Sequence, residues 1–334
     1  MRAMVLEGGT GLSNLRLVER PSPEARPGEV VVRLSAASLN YRDLATVTAP
    51  AAPRLPLIPL SDGAGVVETV GEGVTRVRAG DLVTPSFFPH WIAGPPAPAL
   101  LAALGGVLDG CACEAIALPA EGVTRAPAHF DAAEAATLPC AAVTAWRGLI
   151  VEGRLKPGET VLVQGTGGVS MFALQFAKLA GARVIVTSSS DEKLERARAL
   201  GADSLVNYRS RPDWAKAARE LTDGRGVDHV VEVGGADTFR QSIAALALGG
   251  HVAVIGVLSG AVKDMSVVEI FARNARITGV TVGSRLHAEE MVRAIEVARL
   301  RPVIDRRFPL ERLVDALELM RAGGHFGKIV IDIA

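Results

Sequence analysis

The sequence predicts an α/β protein in which a β-rich domain is joined to a second domain built on a doubly wound parallel sheet. Three observations support this fold class. Short β-rich runs separated by glycine and proline occupy the chain up to about residue 125. From about residue 158, short apolar runs alternate with helical stretches. A glycine-rich turn stands between the first of those runs and the first helix.

The first part of the chain is predicted to form an antiparallel or barrel-like domain. Its β-rich runs are VVVRLSAASL at 30–39, GAGVVETVGEGV at 63–74 and DLVTPSFF at 81–88. Dense glycine and proline punctuation between them favours short strands joined by turns. Residues 92–110 are expected to form a loop with one short helix. We place this domain at residues 1–125 and expect residues 286–334 to return to it.

The second part, residues 126–285, alternates strand and helix, which implies a parallel sheet with right-handed crossovers. Its predicted strands are 160–164, 183–187, 204–208, 229–233, 251–257 and 277–282. The predicted helices of this part are 169–180, 191–200, 213–222 and 237–246. In the returning tail we predict helices at 287–299 and 310–322 and a closing strand at 327–333.

The composition excludes several classes of protein. Lys+Arg and Asp+Glu are equal at 36 each, so the chain lacks the basic footprint expected of a nucleic-acid-binding domain. No uninterrupted apolar stretch reaches the roughly 18 residues of a membrane span, and the N-terminus does not resemble an export signal. The three cysteines, Cys111, Cys113 and Cys140, are too few for a disulfide framework. They favour a reducing, cytoplasmic compartment.

The most informative segment leads from the strand TVLVQ into the next helix with the spacing G-x-G-x-x-S. The first glycine permits a tight turn, the second lets the backbone approach a pyrophosphate, and the third position must be small. The helix N-terminus then offers unpaired N–H groups to the phosphates. Because the motif lies inside a strand–turn–helix unit, it predicts dinucleotide binding, with an ordinary tight turn as the structural alternative. The motif consists of Gly165, Thr166, Gly167, Gly168, Val169 and Ser170.

The end of the second predicted strand favours NADP(H) as the cofactor. A site that prefers NAD places Asp or Glu roughly 20 residues after the first glycine, on the ribose hydroxyls. This chain has Ser188, Ser189 and Ser190 there, followed by Lys193. Hydroxyls and an ammonium can bind a 2′-phosphate. The alternative is that the serines cap the helix that begins at Asp191, and the two roles are compatible.

The order of these motifs resembles that of one enzyme family over essentially the whole chain. The segments are SLNYRDL, PLSDGAGVVETVGEGV, AATLPCAAVTAW, VLVQGTGGVS, VEVGG, HVAVIGV and HFGKIVI. The chain resembles the medium-chain dehydrogenase/reductases, and specifically the zinc-free branch that includes quinone oxidoreductases and enoyl reductases. The resemblance implies a GroES-like substrate domain made from both chain ends, a central Rossmann domain, and an active site in the cleft between them. It also implies a homodimer or homotetramer, often paired through the edge strand, here ITGVTV.

The resemblance also bears on metal binding. In the zinc-dependent branch, the catalytic metal takes Cys, His and Cys at positions that match Asn40, Ser61 and Cys140. Only Cys140 is a good ligand, whereas a catalytic zinc normally has three protein ligands. The four-cysteine structural site of the family is not matched either, because only Cys111 and Cys113 are available. We therefore expect a metal-free enzyme in which Cys140 is a buried apolar side chain rather than a nucleophile.

Polar residues near the positions of the missing ligands are the candidate catalytic groups. Without a Lewis acid, alcohol oxidation loses its usual activation, whereas hydride addition to a quinone or an activated C=C bond is less demanding. Asn40 is expected to polarise the substrate oxygen and Tyr41 to donate the proton, with the other candidates positioning them. Alternatively, SLNYRD is a structural turn whose Asn and Asp bond their own backbone. The candidates are Asn40, Tyr41, Asp43, Ser61 and Asp62.

Further cofactor contacts are inferred from the resemblance and from the rule that ligands bind at the carboxyl ends of parallel strands. Trp146 also matches a position near the nicotinamide, with core packing as its alternative. Lys328 is alternatively a solvated charge at a strand edge. Phe87, Phe88 and Trp91 either wall an apolar substrate pocket or form a core edge. The inferred contacts are Thr144, Lys193, Tyr208, Gly234, Gly256, Val257, Gly283, Ser284, Arg285, Phe326, Gly327 and Lys328.

Three functions remain open at the level of sequence. The first is an NADPH-dependent reductase of enones or quinones. The second is a zinc-free, NADP-dependent alcohol or carbonyl dehydrogenase. The third is a catalytically silent NADPH-binding protein that acts as a sensor. The expected partner is a small apolar or conjugated carbonyl or quinone substrate, and the intact glycine turn beside a polar pocket favours an enzyme.

Overall fold

A computed structural model describes residues 1–52, 54–262 and 265–333, which divide into two units. Unit 1 contains Met1–Val143 and Val282–Ala334, and unit 2 contains Thr144–Thr281. The first boundary lies beyond the expected residue 125 because the helix at Ala132–Ala135 packs on the strands of unit 1. The second lies slightly before the expected residue 285.

Fifteen strands are assigned within the described residues. They are β1 (Arg2–Leu6), β2 (Leu15–Glu19), β3 (Glu29–Ser38), β4 (Asp62–Val70), β5 (Leu82–Pro85), β6 (Ala115–Pro119), β7 (Val123–Arg125), β8 (Thr160–Gln164), β9 (Arg183–Ser188), β10 (Ser204–Asn207), β11 (Val227–Glu232), β12 (Leu246–Val254), β13 (Arg276–Gly279), β14 (Ile304–Pro309) and β15 (Lys328–Asp332).

The helices vary in length, and two π-helical segments, Leu138–Ala142 and Arg147–Val151, flank the third of them. No helix within the described ranges is long and apolar enough to cross a membrane. The α-helices are α1 (Tyr41–Thr48), α2 (Ala132–Ala135), α3 (Val143–Trp146), α4 (Gly168–Leu179), α5 (Asp191–Ala199), α6 (Trp214–Glu220), α7 (Phe239–Ala245), α8 (Val267–Ala272), α9 (Arg285–Ala298) and α10 (Leu313–Arg321).

Unit 1 is built on a seven-stranded sheet whose order is β14-β15-β3-β4-β5-β7, with β6 also pairing with β3. All its pairs are antiparallel except β14 with β15, and a separate antiparallel pair joins β1 to β2. The inward side chains of these strands form one apolar core with α10. This confirms a β-rich domain. The returning tail contributes β14 and β15 to the same sheet.

Unit 2 is a six-stranded parallel sheet with the order β10-β9-β8-β11-β12-β13. Both faces of such a sheet are covered by helices, which explains why β8 is buried at all five residues. The strand order reverses between β8 and β11, and ligands bind at the carboxyl ends of the strands beside such a switch point. The predicted Rossmann sheet is therefore confirmed, and its switch point lies at the glycine turn.

Several local predictions were incomplete. The strand expected at 277–282 spans Arg276–Gly279, and Val282, further along the chain, adopts a left-handed φ of +52°. The elements that were not predicted include the strands β1, β2, β6, β7 and β14 and the helices α1, α2 and α8. These elements are short and their apolar periodicity is weak, so tertiary contacts decide them. In the 92–110 loop, the expected short helix is a 3₁₀ turn at Pro98–Leu100.

Candidate active site

The glycine turn of unit 2 lies at the carboxyl end of β8 and leads directly into α4. Gly165 has a φ of +69°, a conformation that glycine adopts without a Cβ penalty. Gly167 is the N-cap residue of α4, and no side chain caps that helix. Ser170 takes the third position of the motif, and its buried hydroxyl donates to the Gln164 carbonyl oxygen at 2.7 Å. The serine therefore fastens the helix to the strand.

Neither backbone conformation nor packing requires a glycine at position 167. Its φ of −79° is open to any residue, and a Cβ placed there would meet no protein atom within 4 Å. Gly256 is different, because a Cβ there would lie 2.4 Å from the carbonyl oxygen of Val233. The missing side chain at Gly167 leaves the first N–H groups of α4 accessible to an anion. The turn thus fits the pyrophosphate of a dinucleotide.

Serines and a tyrosine meet at the carboxyl ends of β9 and β10. Ser188 is buried at the end of β9, and its carbonyl oxygen accepts the Tyr208 N–H at 3.0 Å. Ser189 is half-buried beside it. The Ser190 hydroxyl accepts the Lys193 N–H at 3.3 Å, which confirms the predicted cap of α5. The structure therefore brings Ser188 and Tyr208 together at one edge of the sheet.

A buried polar network joins β8 to β11 at the switch point. The Gln164 amide donates to the Glu232 carboxylate at 2.8 Å and to the Ser242 hydroxyl at 2.7 Å. The other oxygen of Glu232 accepts the N–H groups of Gly234 and Gly235 at 2.8 and 2.9 Å. This network holds the turn after β11 and was missed from the sequence. The available signal was a Gln and a Glu at the ends of otherwise apolar strands.

Other predicted cofactor residues of unit 2 have mixed surroundings. Thr144 is buried at the start of the unit, whereas Val257 is 62% exposed beyond the end of β12. The Trp146 ring meets the Phe176 ring edge to face, with centroids 5.4 Å apart. That contact supports the core-packing alternative for Trp146.

In unit 1, three of the five residues predicted for catalysis, Asn40, Ser61 and Asp62, form one hydrogen-bonded chain with Lys328. The Lys328 ammonium donates to Asn40 Oδ1 at 2.6 Å, and Asn40 Nδ2 donates to Ser61 Oγ at 3.3 Å. Ser61 Oγ donates to Asp62 Oδ1 at 2.8 Å, and Asp62 Oδ2 accepts the Cys140 N–H at 3.0 Å. The strand-edge alternative for Lys328 is wrong, because its side chain is 2% exposed and β15 lies between β14 and β3.

Asp43 organises the backbone around this chain. Its carboxylate accepts the Asn40 N–H at 2.8 Å and the Ser61 N–H at 3.2 Å, and it lies 3.2 Å from an Arg42 guanidinium nitrogen. The predicted turn is thus the N-terminus of α1, with Asp43 bonding the local backbone. The Asn40 side-chain amide accepts from Lys328 and donates to Ser61. Tyr41 is 50% exposed on the first turn of α1 and can reach solvent or substrate.

Burial governs the electrostatics of this region. Burial raises the pKa of Asp62, and the positive charge of Lys328 opposes that rise. Burial also raises the pKa of the Cys140 thiol well above its usual value, which disfavours a thiolate. Cys140 as a residue is half-buried, whereas Cys111 and Cys113 are buried. Burial similarly raises the pKa of Cys113 to about 12.

The arrangement does not fit a catalytic zinc ion. Asn40 and Ser61 are poor zinc ligands, and a buried ammonium is bonded to Asn40 itself. Within the described part of the chain, no group of three or more His, Cys, Asp and Glu side chains is placed to hold a metal. Cys111 is buried, its thiol 3.8 Å from the Ser61 carbonyl oxygen.

The remaining predicted contacts, Gly283 to Arg285 and Phe326 to Gly327, belong to unit 1. Ser284 is buried and caps α9, while Arg285 is ion-paired with Glu121 and lies 3.3 Å from Glu289. Gly327 has a φ of +83°, which its turn into β15 requires.

Phe87, Phe88 and Trp91 of unit 1 form a buried aromatic cluster. Phe87 and Phe88 are each 7% exposed and Trp91 is 1% exposed. The Trp91 indole N–H donates to the Gly94 carbonyl oxygen at 3.0 Å. Burial to this extent supports the core-edge alternative over a pocket wall.

Comparison with known proteins identifies the family. Residues 26–128 match the alcohol dehydrogenase GroES-like domain, and residues 168–297 match the zinc-binding dehydrogenase domain. A zinc-type alcohol dehydrogenase-like protein of Schizosaccharomyces pombe is 46% identical over 100% of this chain and 99% of its own length. A chloroplast envelope quinone oxidoreductase homolog of Arabidopsis thaliana is 31% identical over 97% of this chain and 95% of its own length.

Solved structures of other proteins share this fold over the whole chain. The crystal structure of an NAD-dependent alcohol dehydrogenase superimposes with a TM-score of 0.91 and 36% identity over 100% of both chains. A mycobacterial protein complexed with NADPH superimposes with a TM-score of 0.83 and 28% identity over 100% of both chains. The chain therefore belongs to the medium-chain dehydrogenase/reductase family, whose members include alcohol dehydrogenases and quinone oxidoreductases. It is an oxidoreductase of a nicotinamide-dinucleotide-dependent type.

Proposed function

We propose that this protein is an NADPH-dependent, metal-free reductase that transfers hydride to an activated C=C bond or a quinone. The observation that carries the proposal is the hydrogen-bonded chain from Lys328 through Asn40 and Ser61 to Asp62. It stands at the positions where zinc-dependent relatives carry their metal ligands. An amide and an ammonium can stabilise a developing enolate or quinolate, whereas activating a saturated alcohol favours a Lewis acid.

The choice of NADPH is supported by the edge of β9 and β10. Ser188, Ser189 and Tyr208 offer hydroxyl groups there, and Lys193 follows on the first turn of α5. The first carboxylate after the serines, Asp191, accepts a hydrogen bond from Asn207 at 2.7 Å. Hydroxyls and an ammonium suit a 2′-phosphate. One relative of similar fold is complexed with NADPH, and another is NAD-dependent.

The roles of the chain's own residues follow from their contacts. A bound nicotinamide supplies the hydride. Asn40 holds the substrate oxygen through its amide N–H, and Asp43 fixes the Asn40 backbone that aims the amide. Tyr41, half-exposed on α1, provides the proton directly or through water. Asp43, Ser61 and Asp62 are fully buried, so they position these groups rather than touch the substrate.

A second candidate function is a zinc-free, NADP-dependent alcohol or carbonyl dehydrogenase. It is favoured by the names of several relatives, including the zinc-type alcohol dehydrogenase-like protein and the NAD-dependent alcohol dehydrogenase. The same residues would then hold the carbonyl oxygen of a ketone. A catalytically silent binding protein is disfavoured by the intact glycine turn together with the accessible Tyr41.

One parallel assay separates these functions. Absorbance at the nicotinamide band is followed with NADPH and with NADH, using EDTA-treated and untreated protein. The acceptors are a simple quinone, a conjugated enone and a saturated ketone. We expect NADPH oxidation with the quinone or enone, faster than with NADH and unchanged by EDTA. Activity confined to the saturated ketone and abolished by EDTA would refute the proposal, and no turnover with any acceptor would favour the silent protein.

We further propose a cytoplasmic homo-oligomer. Three free thiols within one chain support a reducing compartment. β13 is the edge strand of the unit 2 sheet, and exposed apolar side chains on the neighbouring α8, such as Phe271 at 65%, support self-association there. Size-exclusion chromatography with light scattering tests this, and a monomer at micromolar concentration would oppose it.

A further inference from the structure

Lys328 is a buried cation that has neutral partners. Its side chain is 2% exposed at the first position of β15. Buried lysines are normally paired with carboxylates, yet no ion pair within 4 Å involves Lys328 among the residues that the structure describes. Instead its ammonium donates to the Leu39 carbonyl oxygen and to Asn40 Oδ1, both at 2.6 Å. The fold therefore directs this charge onto the Asn40 amide.

The neighbouring charged groups are already satisfied. Asp43 accepts two backbone N–H groups and lies beside Arg42. Asp62 accepts the Ser61 hydroxyl and the Cys140 N–H. Both carboxylates therefore have hydrogen-bond donors other than Lys328.

The Asn40 amide is arranged as a polarised donor. Its oxygen accepts from an ammonium, which draws electron density from the amide nitrogen and strengthens the N–H groups as donors. One N–H points to Ser61 Oγ at 3.3 Å. The amide also hydrogen bonds the Asp62 carboxylate, which opposes the rise in the pKa of that carboxyl. A substrate oxygen would compete with Ser61 for the contact at 3.3 Å.

We propose that Lys328 is a positioning residue that supplies, through the Asn40 amide, the positive charge that a metal ion supplies in zinc-dependent dehydrogenases. This inference rests on the proposed reductase function. It also departs from the resemblance, which assigns Lys328 to cofactor contact. The donor set of Asn40, Ser61 and Cys140 does not fit zinc, and the ammonium beside it provides the missing charge.

The electrons and protons balance in the reaction of an enone. The β-carbon accepts a hydride from the reduced nicotinamide, and the C=C π electrons move to form a C=C bond to the carbonyl carbon while the C=O π pair moves to oxygen. The enolate oxygen then accepts an N–H of the Asn40 amide, which is held by Lys328, in place of Ser61. Protonation of the α-carbon, from Tyr41 or water, gives the saturated ketone. The acceptor is reduced by two electrons and the cofactor is oxidised by two.

Three variants test the inference. Lys328→Met removes the charge, Lys328→Arg keeps it, and Ser38→Ala is the matched control. Ser38 is as buried as Lys328. Its hydroxyl donates at 3.3 Å to the carbonyl oxygen of Ile329, the residue after Lys328 on β15. Ser38 is not one of the residues proposed to act on the substrate. Steady-state kcat and KM for the acceptor, the NADPH dissociation constant, and circular dichroism are measured for each variant.

We expect Lys328→Met to lower kcat by about ten- to 100-fold, somewhat less than the loss of a direct oxyanion donor. The KM for the acceptor and the NADPH dissociation constant should stay within about twofold, since uniform binding is unaffected. Lys328→Arg should recover most of kcat, and Ser38→Ala should leave every parameter within about twofold. An unchanged kcat in folded Lys328→Met would overturn the inference. A raised NADPH dissociation constant at unchanged kcat would assign Lys328 to cofactor contact instead.

Where Lys328→Met does not fold, Lys328→Gln decides, because it keeps donor capacity without the charge. Folded Lys328→Gln with wild-type kcat overturns the inference, and a comparable loss of kcat supports it. If the wild-type protein reduces no acceptor, both the proposed function and the role of Lys328 are refuted. If the wild type is active and Lys328→Met is equally active, only the role of Lys328 is refuted. Elemental analysis of the wild type adds a readout independent of turnover. Stoichiometric zinc would show that a metal, not Lys328, supplies the charge.

Discussion

Replacing Gly167 by alanine should separate cofactor affinity from stability. A Cβ at this position meets no protein atom within 4 Å, and the φ of −79° suits alanine. The methyl group would occupy space in front of the first turn of α4, where the pyrophosphate is expected. If only the ligand requires a glycine here, Gly167→Ala should fold normally but bind the cofactor more weakly.

The magnitudes follow from two opposing terms. Alanine stabilises relative to glycine by about 0.4 to 1 kcal/mol through the unfolded chain, but it is a poorer N-cap residue by about the same amount. The free energy of unfolding should therefore change by less than about 1 kcal/mol. A methyl group forced into a close-packed ligand contact costs about 1 to 3 kcal/mol. That corresponds to a rise of about 5- to 150-fold in the NADPH dissociation constant.

Fluorescence titration with NADPH and guanidinium denaturation measure the two quantities. Gly279→Ala is the matched control, because a Cβ there also meets nothing within 4 Å but lies at the end of β13, outside the turn. It should leave the NADPH dissociation constant unchanged. Gly256→Ala should instead destabilise the fold, since its Cβ would lie 2.4 Å from the Val233 carbonyl oxygen. Wild-type NADPH affinity in folded Gly167→Ala would refute the assignment of this turn to the pyrophosphate.

Three further predictions concern other residues. Burial, with the neighbouring His229 charge, lowers the pKa of His251 from 6.5 to about 4. The unfolded chain therefore binds a proton more readily than the folded one. The free energy of unfolding should fall as the pH drops from 6.5 toward 4, by about 2 kcal/mol at pH 5. Guanidinium denaturation at pH 7.5 and pH 5 should show this loss in the wild type and not in His251→Phe, and equal losses in both would contradict it. Ser188→Asp should raise the NADPH dissociation constant by at least about tenfold and leave that of NADH within about threefold, because a carboxylate repels a 2′-phosphate. Parallel titrations with the two cofactors check this. An unchanged ratio of the two dissociation constants would count against a 2′-phosphate site at Ser188. Cys140→Ala should retain kcat within about twofold, because burial raises the pKa of the thiol and disfavours a nucleophile; an inactive but folded variant would reverse that conclusion.

Much of the fold was readable from local pattern. The strand TVLVQ, the glycine turn and the following helix lie next to each other in sequence, and their geometry depends on residues within one turn of each other. The cap formed by Ser190 and the edge serines at Ser188 were predicted for the same reason. The short strands β1, β2 and β14 were not, because pairing with distant strands decides them.

The candidate catalytic region was predicted as a set of residue types but not as an arrangement. Asn40 and Ser61 were recognised as positions of missing metal ligands. The sequence could not show that Asp43 bonds the backbone of both, or that the Asn40 amide bonds Lys328 and Ser61. The hydrogen bond between Gln164 and Glu232 was not predicted, since a single polar residue at the end of a strand does not indicate its partner.

Local sequence therefore determines the class of this protein and the identity of its phosphate-binding turn, because strand periodicity, glycine conformations and helix starts are short-range properties. The tertiary structure alone decides the electrostatics of the catalytic region. Lys328 and Asn40 are 288 positions apart, and Asp62 meets the Cys140 N–H across 78 positions. Only the pairing of β15 with β3 places the ammonium against the amide, and burial there makes the contact strong by excluding water.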